Sequence, residues 1–319
     1  MPSVVMCNMH NRVFDAFCRI FKHIGYDVYT PKNGESNYFI YDGASSAPGV
    51  VNKHAQEKTL EEVLDIKPDM VLCCCWEQLK GSQRLAQLLN KPLVLRAGNN
   101  NVPYRPEHSE YLISSDQETY DKSNIKHKLM IMLPPDYDLY KPDGKYQFSS
   151  MVIPTLIHHY KSYWLKSYKI YKHIRHTQRR FAFVHFGYSG SPGLNEPYIP
   201  VLGRQDDIVN MLHIGRALLH IKEMEGYGWT LLEAAAAGVP IIAVRDYVQN
   251  RTSEKFLIEN ETCLFINEAT YWDDFNKAIH NESAMLKIAE NGSNYIRDLI
   301  NLEEQAANIK KFLEEKVLK

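Results

Sequence analysis

The sequence predicts an α/β protein of two domains, each built on a mainly parallel, doubly wound sheet. Three observations carry that prediction. At 319 residues, with 45% hydrophobic and 24% charged, the chain has core enough for about two domains. Short apolar runs alternate along it with stretches of helical period, the signature of a parallel sheet covered by helices. Residues 134–150, carrying Pro, Asp, Gly, Tyr and Lys without periodicity, separate two such series and read as a linker.

In chain order, Val4 to Met9 suits a first strand, and Asn11 caps a helix whose Val13, Phe14, Phe17, Cys18, Phe21 and Ile24 recur at helical spacing. Gly25 ends that helix before Tyr26–Tyr29 resumes extended structure. The first turn, Asn8-Met9-His10-Asn11, has no glycine fingerprint, which argues against a dinucleotide site there. Residues 32–60 are rich in Gly, Ser, Asn and Pro and read as loops. Asp69 to Trp76 is a strand followed by a helix to about Leu89; further strands fall at Leu93–Leu95, Tyr111–Ser114 and Lys128–Leu133. In such sheets ligands collect at the carboxyl ends of the strands.

The second series restarts with a strand over Met151 to Ile157. Lys161, Lys166, Lys169, Lys172, Arg175, Arg179 and Arg180 then follow with no acidic residue before Glu196. Tyr160, Trp164, Tyr168, Tyr171 and Ile174 are interleaved near helical spacing. The stretch reads as a helix with an aromatic inner face and a solvated basic face, or as a surface for phosphate or a polyanion. Strands follow at Phe181–Gly187 and Ile199–Arg204, with His185 read as a packed histidine. Gln205-Asp206-Asp207 open a helix with acids at its amino end. Ala217–Ile221 and Ile241–Val244 are strands, Arg251–Ile258 a helix, Cys263–Ile266 a strand, and 269–298 helical. Gln305 to Val317 is amphipathic.

Composition excludes some partners. The net charge is −1, so nothing global draws the chain to nucleic acid or an acidic membrane. No apolar stretch reaches the ~18–20 residues a spanning helix needs, and Met1–Met6 lacks the features of a signal peptide. Six cysteines include adjacent Cys73, Cys74 and Cys75, which read as small apolar residues without zinc-ligand spacing. A reduced, cytoplasmic setting is the expectation.

The chemistry concentrates between Glu225 and Val244. Gly226-Tyr227-Gly228 is a turn, Trp229 to Ala237 a small-sided helix, and Gly238 with Pro240 its stop. The free N–H groups at Trp229, Thr230 and Leu231 offer an anion site for phosphate. Glu233, about one turn further in, either hydrogen-bonds a sugar hydroxyl beside that phosphate or closes a capping box with Thr230. Glu225 brackets the same space from the loop. With seven residues between them, Gly-Tyr-Gly inside and Ala-Gly-Val-Pro after, the two glutamates resemble the donor-site signature of retaining GT-B glycosyltransferases of the family 4 type.

That resemblance implies two Rossmann-like domains facing each other across a cleft: an acceptor-side domain over 1–140 and a nucleotide-sugar donor domain over 141–300. A helix over 301–319 then packs back toward the first. It implies transfer of a sugar from a nucleoside-diphosphate sugar to an acceptor, with retention of configuration and with no metal or cofactor. Glu225 is assigned to the transferred sugar as the catalytic carboxylate and Glu233 to the ribose, with Gly226, Tyr227, Gly228, Trp229, Thr230 and Leu231 around the donor. Arg204 is placed near the nucleotide by resemblance; it also reads as a surface partner of Asp206 or Asp207. Lys161 holds the position of the family's phosphate-binding cation, although the usual Gly-Arg…Lys-Gly pattern is absent. His10 is the candidate on the acceptor side. Two other readings of the residues are a nucleotide-sugar binding protein without transfer, and transfer to nucleic acid through the basic stretch.

Overall fold

The computed structural model describes residues 1–8, 11–32, 37–39, 51–97, 104–144, 146–156, 164–185, 208–223, 225 and 227–319. Two compact units divide the chain: Met1–Pro134 with Ile300–Lys319, and Pro135–Leu299.

In unit 1 the described residues form seven strands: β1 (Ser3–Met6), β2 (Asp27–Pro31), β3 (Gln56–Lys58), β4 (Met70–Cys73), β5 (Leu93–Ala97), β6 (Tyr111–Ser114) and β7 (His127–Met130). They pair in parallel in the order β3-β2-β1-β4-β5-β6-β7. The chain leaves β1 toward β2 on one side and returns as β4 on the other, so the switch point lies between β1 and β4. Helices α1 (Asn11–His23), α2 (Leu60–Ile66), α3 (Leu79–Leu89) and α4 (Gln117–Lys122) connect the strands. Both faces of the sheet are covered, which is why β1 and β4 are buried along their whole length rather than alternating. Val5, Val71, Cys73 and Leu95 pack on Leu79, Leu85, Ala86 and Leu89 of α3.

Helix α1 buries Val13, Phe14, Phe17, Cys18 and Phe21, as its period predicts. The last helix, α11 (Leu302–Phe312), continues into a π turn at Leu313–Val317 and packs on α1. The Gln305 Oε1 accepts from the Met132 N–H at 3.0 Å.

Unit 2 carries β8 (Val152–Leu156), β9 (Ala182–His185), β10 (Leu218–His220), β11 (Ile241–Val244) and β12 (Cys263–Ile266), all parallel in the order β12-β11-β10-β8-β9. Its helices are α5 (Trp164–Thr177), α6 (Ile208–His213), α7 (Trp229–Ala236), α8 (Arg245–Val248), α9 (Tyr271–His280) and α10 (Glu282–Leu299). In α5, Tyr168, Tyr171 and Ile174 are buried while Lys166, Lys169 and Lys172 are exposed. Lys166 pairs with Glu268 at 2.5 Å. Over residues 166–172 the basic side chains are therefore the solvated face of a core helix.

Three expectations are corrected. The strand at 69–76 stops at Cys73, and Trp76–Gln78 is a 3₁₀ turn leading into α3. All six cysteines are nevertheless buried, and none forms a disulfide among the described residues. The loop read over 32–60 contains β3, and α2 begins at its end. The α2 start is a complete capping box: the Glu62 N–H donates to Thr59 Oγ1 at 3.2 Å, and the Thr59 N–H to Glu62 at 2.8 Å. The helix expected over 251–258 is only a 3₁₀ turn at Thr252–Lys255, entered from an extended Arg251 and left at Phe256, where φ is −117°.

Candidate functional site

The carboxyl edge of the unit 2 sheet gathers the ends of β8, β9, β10 and β11. Strand β10 ends at His220, and the loop from there to α7 carries the residues singled out by the sequence. Gly228 is the N-cap of α7 at φ 80°, ψ 44°. That left-handed conformation suits glycine, and a Cβ there would stand 3.0 Å from the Ser253 Cβ. The first intrahelical bond runs from the Leu232 N–H to the Gly228 carbonyl at 2.9 Å. The N–H groups of Trp229, Thr230 and Leu231 thus have no intrahelical acceptor and present a partial positive charge.

The opposite end of α7 closes on Gly238, at φ 69°. The Val239 N–H reaches the Ala234 carbonyl at 2.9 Å and the Gly238 N–H the Ala235 carbonyl at 3.0 Å, a Schellman stop. The small residues let α7 lie against α10, whose Ser293 Oγ donates to the Ala236 carbonyl at 2.7 Å. Tight packing on both sides fixes where the helix begins.

This geometry settles one alternative. With Gly228 as N-cap, Thr230 is the second helical residue and caps nothing, so Thr230 and Glu233 form no capping box. Glu233 is buried at 1% exposure, one turn inside the helix.

Glu225 is also buried, at 5% exposure. Its Oε2 accepts from His220 Nε2 at 2.9 Å and its Oε1 from Lys222 Nζ at 2.9 Å. Burial pushes its carboxyl upward, but the Lys222 charge and the His220 hydrogen bond outweigh it and hold Glu225 well below the usual carboxylate range. An ionised carboxylate only accepts, so the Nε2 of His220 carries the proton. The His220 ring is wholly buried, and its Nδ1 meets no hydrogen-bond partner among the described residues. Tyr227 and Trp229 pack with ring centroids 5.0 Å apart, Tyr227 buried and Trp229 partly so.

His185, at the end of β9, donates from Nδ1 to the Thr155 carbonyl at 2.9 Å and is fully buried. It is a packed histidine, as read. The structure thus brings together Glu225, Tyr227, Gly228, Trp229, Thr230, Leu231 and Glu233. His10, Lys161, Arg204 and Gly226 lie outside the described residues. Sequence reasoning gave His220 and Lys222 no role. Lys222 stands three positions and His220 five positions before Glu225, in a loop where spacing alone implies no contact. Among the described residues no cluster of three His, Cys, Asp or Glu is placed to hold a metal ion, and no helix is long and apolar enough to cross a membrane.

Residues 194–295 match the family described as glycosyl transferases group 1. No curated protein sequence matches the chain. Among solved structures, HepE of Anabaena, in complex with UDP and glucose, has a TM-score of 0.71 at 11% identity, covering 99% of this chain and 100% of that one. Sucrose-phosphate synthase from Thermosynechococcus elongatus has 0.69 at 11% identity, covering 99% of each chain. A glycosyltransferase from Rickettsia africae has 0.69 at 11%, covering 98% of each. At these identities the likeness shows the fold, which is that of GT-B glycosyltransferases. Residues 194–295 are a glycosyl transferases group 1 domain, and the chain that carries it is an enzyme of the glycosyltransferase class.

Proposed function

We propose that the chain moves a sugar from a nucleoside-diphosphate sugar to an acceptor, with Glu225 at the transferred sugar and Glu233 at the ribose. The observation that carries this reading is the start of α7. Three amides without intrahelical acceptors stand between two buried glutamates at the carboxyl end of β10.

Chemically, a nucleoside diphosphate leaves the anomeric carbon and gains negative charge as the glycosidic bond breaks. Donors already fixed around it act mainly in the transition state. The Trp229–Leu231 amides supply such donors, and Lys161 and Arg204 are the cations proposed to join them. Gly226, Tyr227 and Gly228 let the backbone approach the diphosphate. Glu225, held ionised by Lys222 and His220, is an acceptor for a sugar hydroxyl. Retention of configuration and independence of metal and cofactor belong to the same proposal, on the strength of the two-glutamate motif.

Calorimetric titration of UDP, GDP and ADP tests the reading: one of the three binds, and binding of none removes the donor site. UDP is tried first, because HepE is similar in fold and its structures hold UDP and UDP-glucose. Turnover in excess chelator is expected to match turnover with added Mg²⁺ or Mn²⁺; a chelator-silenced, metal-restored enzyme would overturn metal independence.

A further inference from the structure

We propose that unit 1 binds an oxyanion, the phosphate or carboxylate of a small acceptor, at Arg96 on the carboxyl edge of its sheet. Arg96 is the charged residue of β5 and is only 7% exposed. A guanidinium cannot shed its charge on burial, and buried charges are ordinarily paired. Among the described residues no carboxylate pairs with it. One Nη donates to Ser115 Oγ at 3.0 Å, while Nε is buried without a partner.

The groups facing Arg96 cannot neutralise it. Next to it are the thiols of Cys74 and Cys75 and the phenol of Tyr104, whose Oη donates to the Arg96 carbonyl at 3.3 Å. The one carboxylate acting on that cluster, Glu77, is exposed and makes no ion pair with Arg96 among the described residues. Burial pushes the two thiols and the phenol upward and keeps them uncharged. A second buried group at this edge is also unmatched. Gln78, in the connection from β4 to α3, is 1% exposed and pairs neither its amide oxygen nor its nitrogen. Its backbone N–H bonds the Cys75 carbonyl at 3.1 Å, closing the turn that follows β4. The end of β5 and the connection that follows β4 thus carry a buried cation and a buried amide with hydrogen-bonding capacity unused. Both lie on the carboxyl side of the sheet, the side on which doubly wound sheets take their ligands, β4 being one strand of the switch point and β5 its neighbour. A planar guanidinium fork is matched in shape to a carboxylate or phosphate.

As an acceptor site this rests on the glycosyl transfer proposed above; as an oxyanion site it stands alone. The test titrates the intact chain with inorganic phosphate and separately with acetate, each with and without saturating UDP. Binding of one anion that persists under UDP and weakens about tenfold or more in Arg96→Gln is expected, with UDP affinity unchanged. A phosphate response assigns a phosphorylated ligand, and an acetate response a carboxylate. Binding of neither anion, equal binding by Arg96→Gln, or displacement of the anion by UDP overturns the proposal. Should Arg96→Gln fail to fold, the wild-type Arg96 Nε–H resonance decides, because a signal unmoved by either anion also overturns it. If UDP fails to bind while the Arg96-dependent titration stands, it is the donor reading that falls.

Discussion

Glu225 is a buried carboxylate clasped by His220 and Lys222, and its protonation links the site to stability. Folding lowers its pKa from an ordinary 4.5, so the unfolded chain takes up the proton first as pH falls. The stabilisation from this group is whole above about pH 4.5 and drains below it. Glu225→Gln should therefore flatten the acid limb of a denaturation series; an acid midpoint unmoved by the change would remove the ion pair from the stability of the fold. In kinetics, Glu225→Ala should cut turnover more than nucleotide affinity, since its proposed contact is to the sugar. Glu233→Ala should weaken nucleotide binding by about 1.5–3 kcal/mol, the range for one hydrogen bond to a charged group. Calorimetry with the nucleotide checks it, and unchanged affinity would return Glu233 to packing. The sequence singles out both glutamates because motif and spacing lie within one loop and one helix, and the structure shows both buried. His220 and Lys222 were not, because their contacts depend on how that loop folds back.

At the scale of the element, α7 depends on its entry. Gly228→Ala forces a Cβ into a left-handed conformation, at about 1–2 kcal/mol, and against Ser253 and Leu231. Urea denaturation should show that loss, and nucleotide binding should weaken with it; a variant as stable as its parent would contradict the cap geometry. Thr59→Ala should cost α2 about 1 kcal/mol, whereas removing the Thr230 hydroxyl costs no cap. Thr59-Leu60-Glu61-Glu62 and Thr230-Leu231-Leu232-Glu233 are the same pattern with different outcomes. The first follows an extended residue and starts its helix. The second sits inside a helix that Gly228 has already begun.

For the whole molecule, unit 1 is discontinuous in sequence, since Ile300–Lys319 belongs with Met1–Pro134. Ala306, Ile309, Phe312 and Leu313 are buried there, at ~25 cal/mol per Å² of apolar surface. Truncation after Leu299 uncovers the α1 face and removes the Gln305 bond to Met132. A calorimetric melt of the truncated chain should show loss or marked lowering of the unit 1 transition, with the unit 2 transition retained. Equal melting of both chains would make the last helix dispensable.

The sequence by itself determined the alternation of buried strands and helices and the place of the two-glutamate motif, and it put the break between the two series within residues 134–150, which the structure sets at Pro134. These follow from local apolar period, turn residues and short-range spacing. Tertiary structure alone decided that Thr230 caps nothing, that His220 and Lys222 hold Glu225, and that the Arg96 guanidinium is buried beside neutral thiols. The first two depend on how one short loop folds between β10 and α7, and the third on strands distant in sequence pairing in the unit 1 sheet. Burial then turns a side chain that is unremarkable in the sequence into a charge that must find a partner.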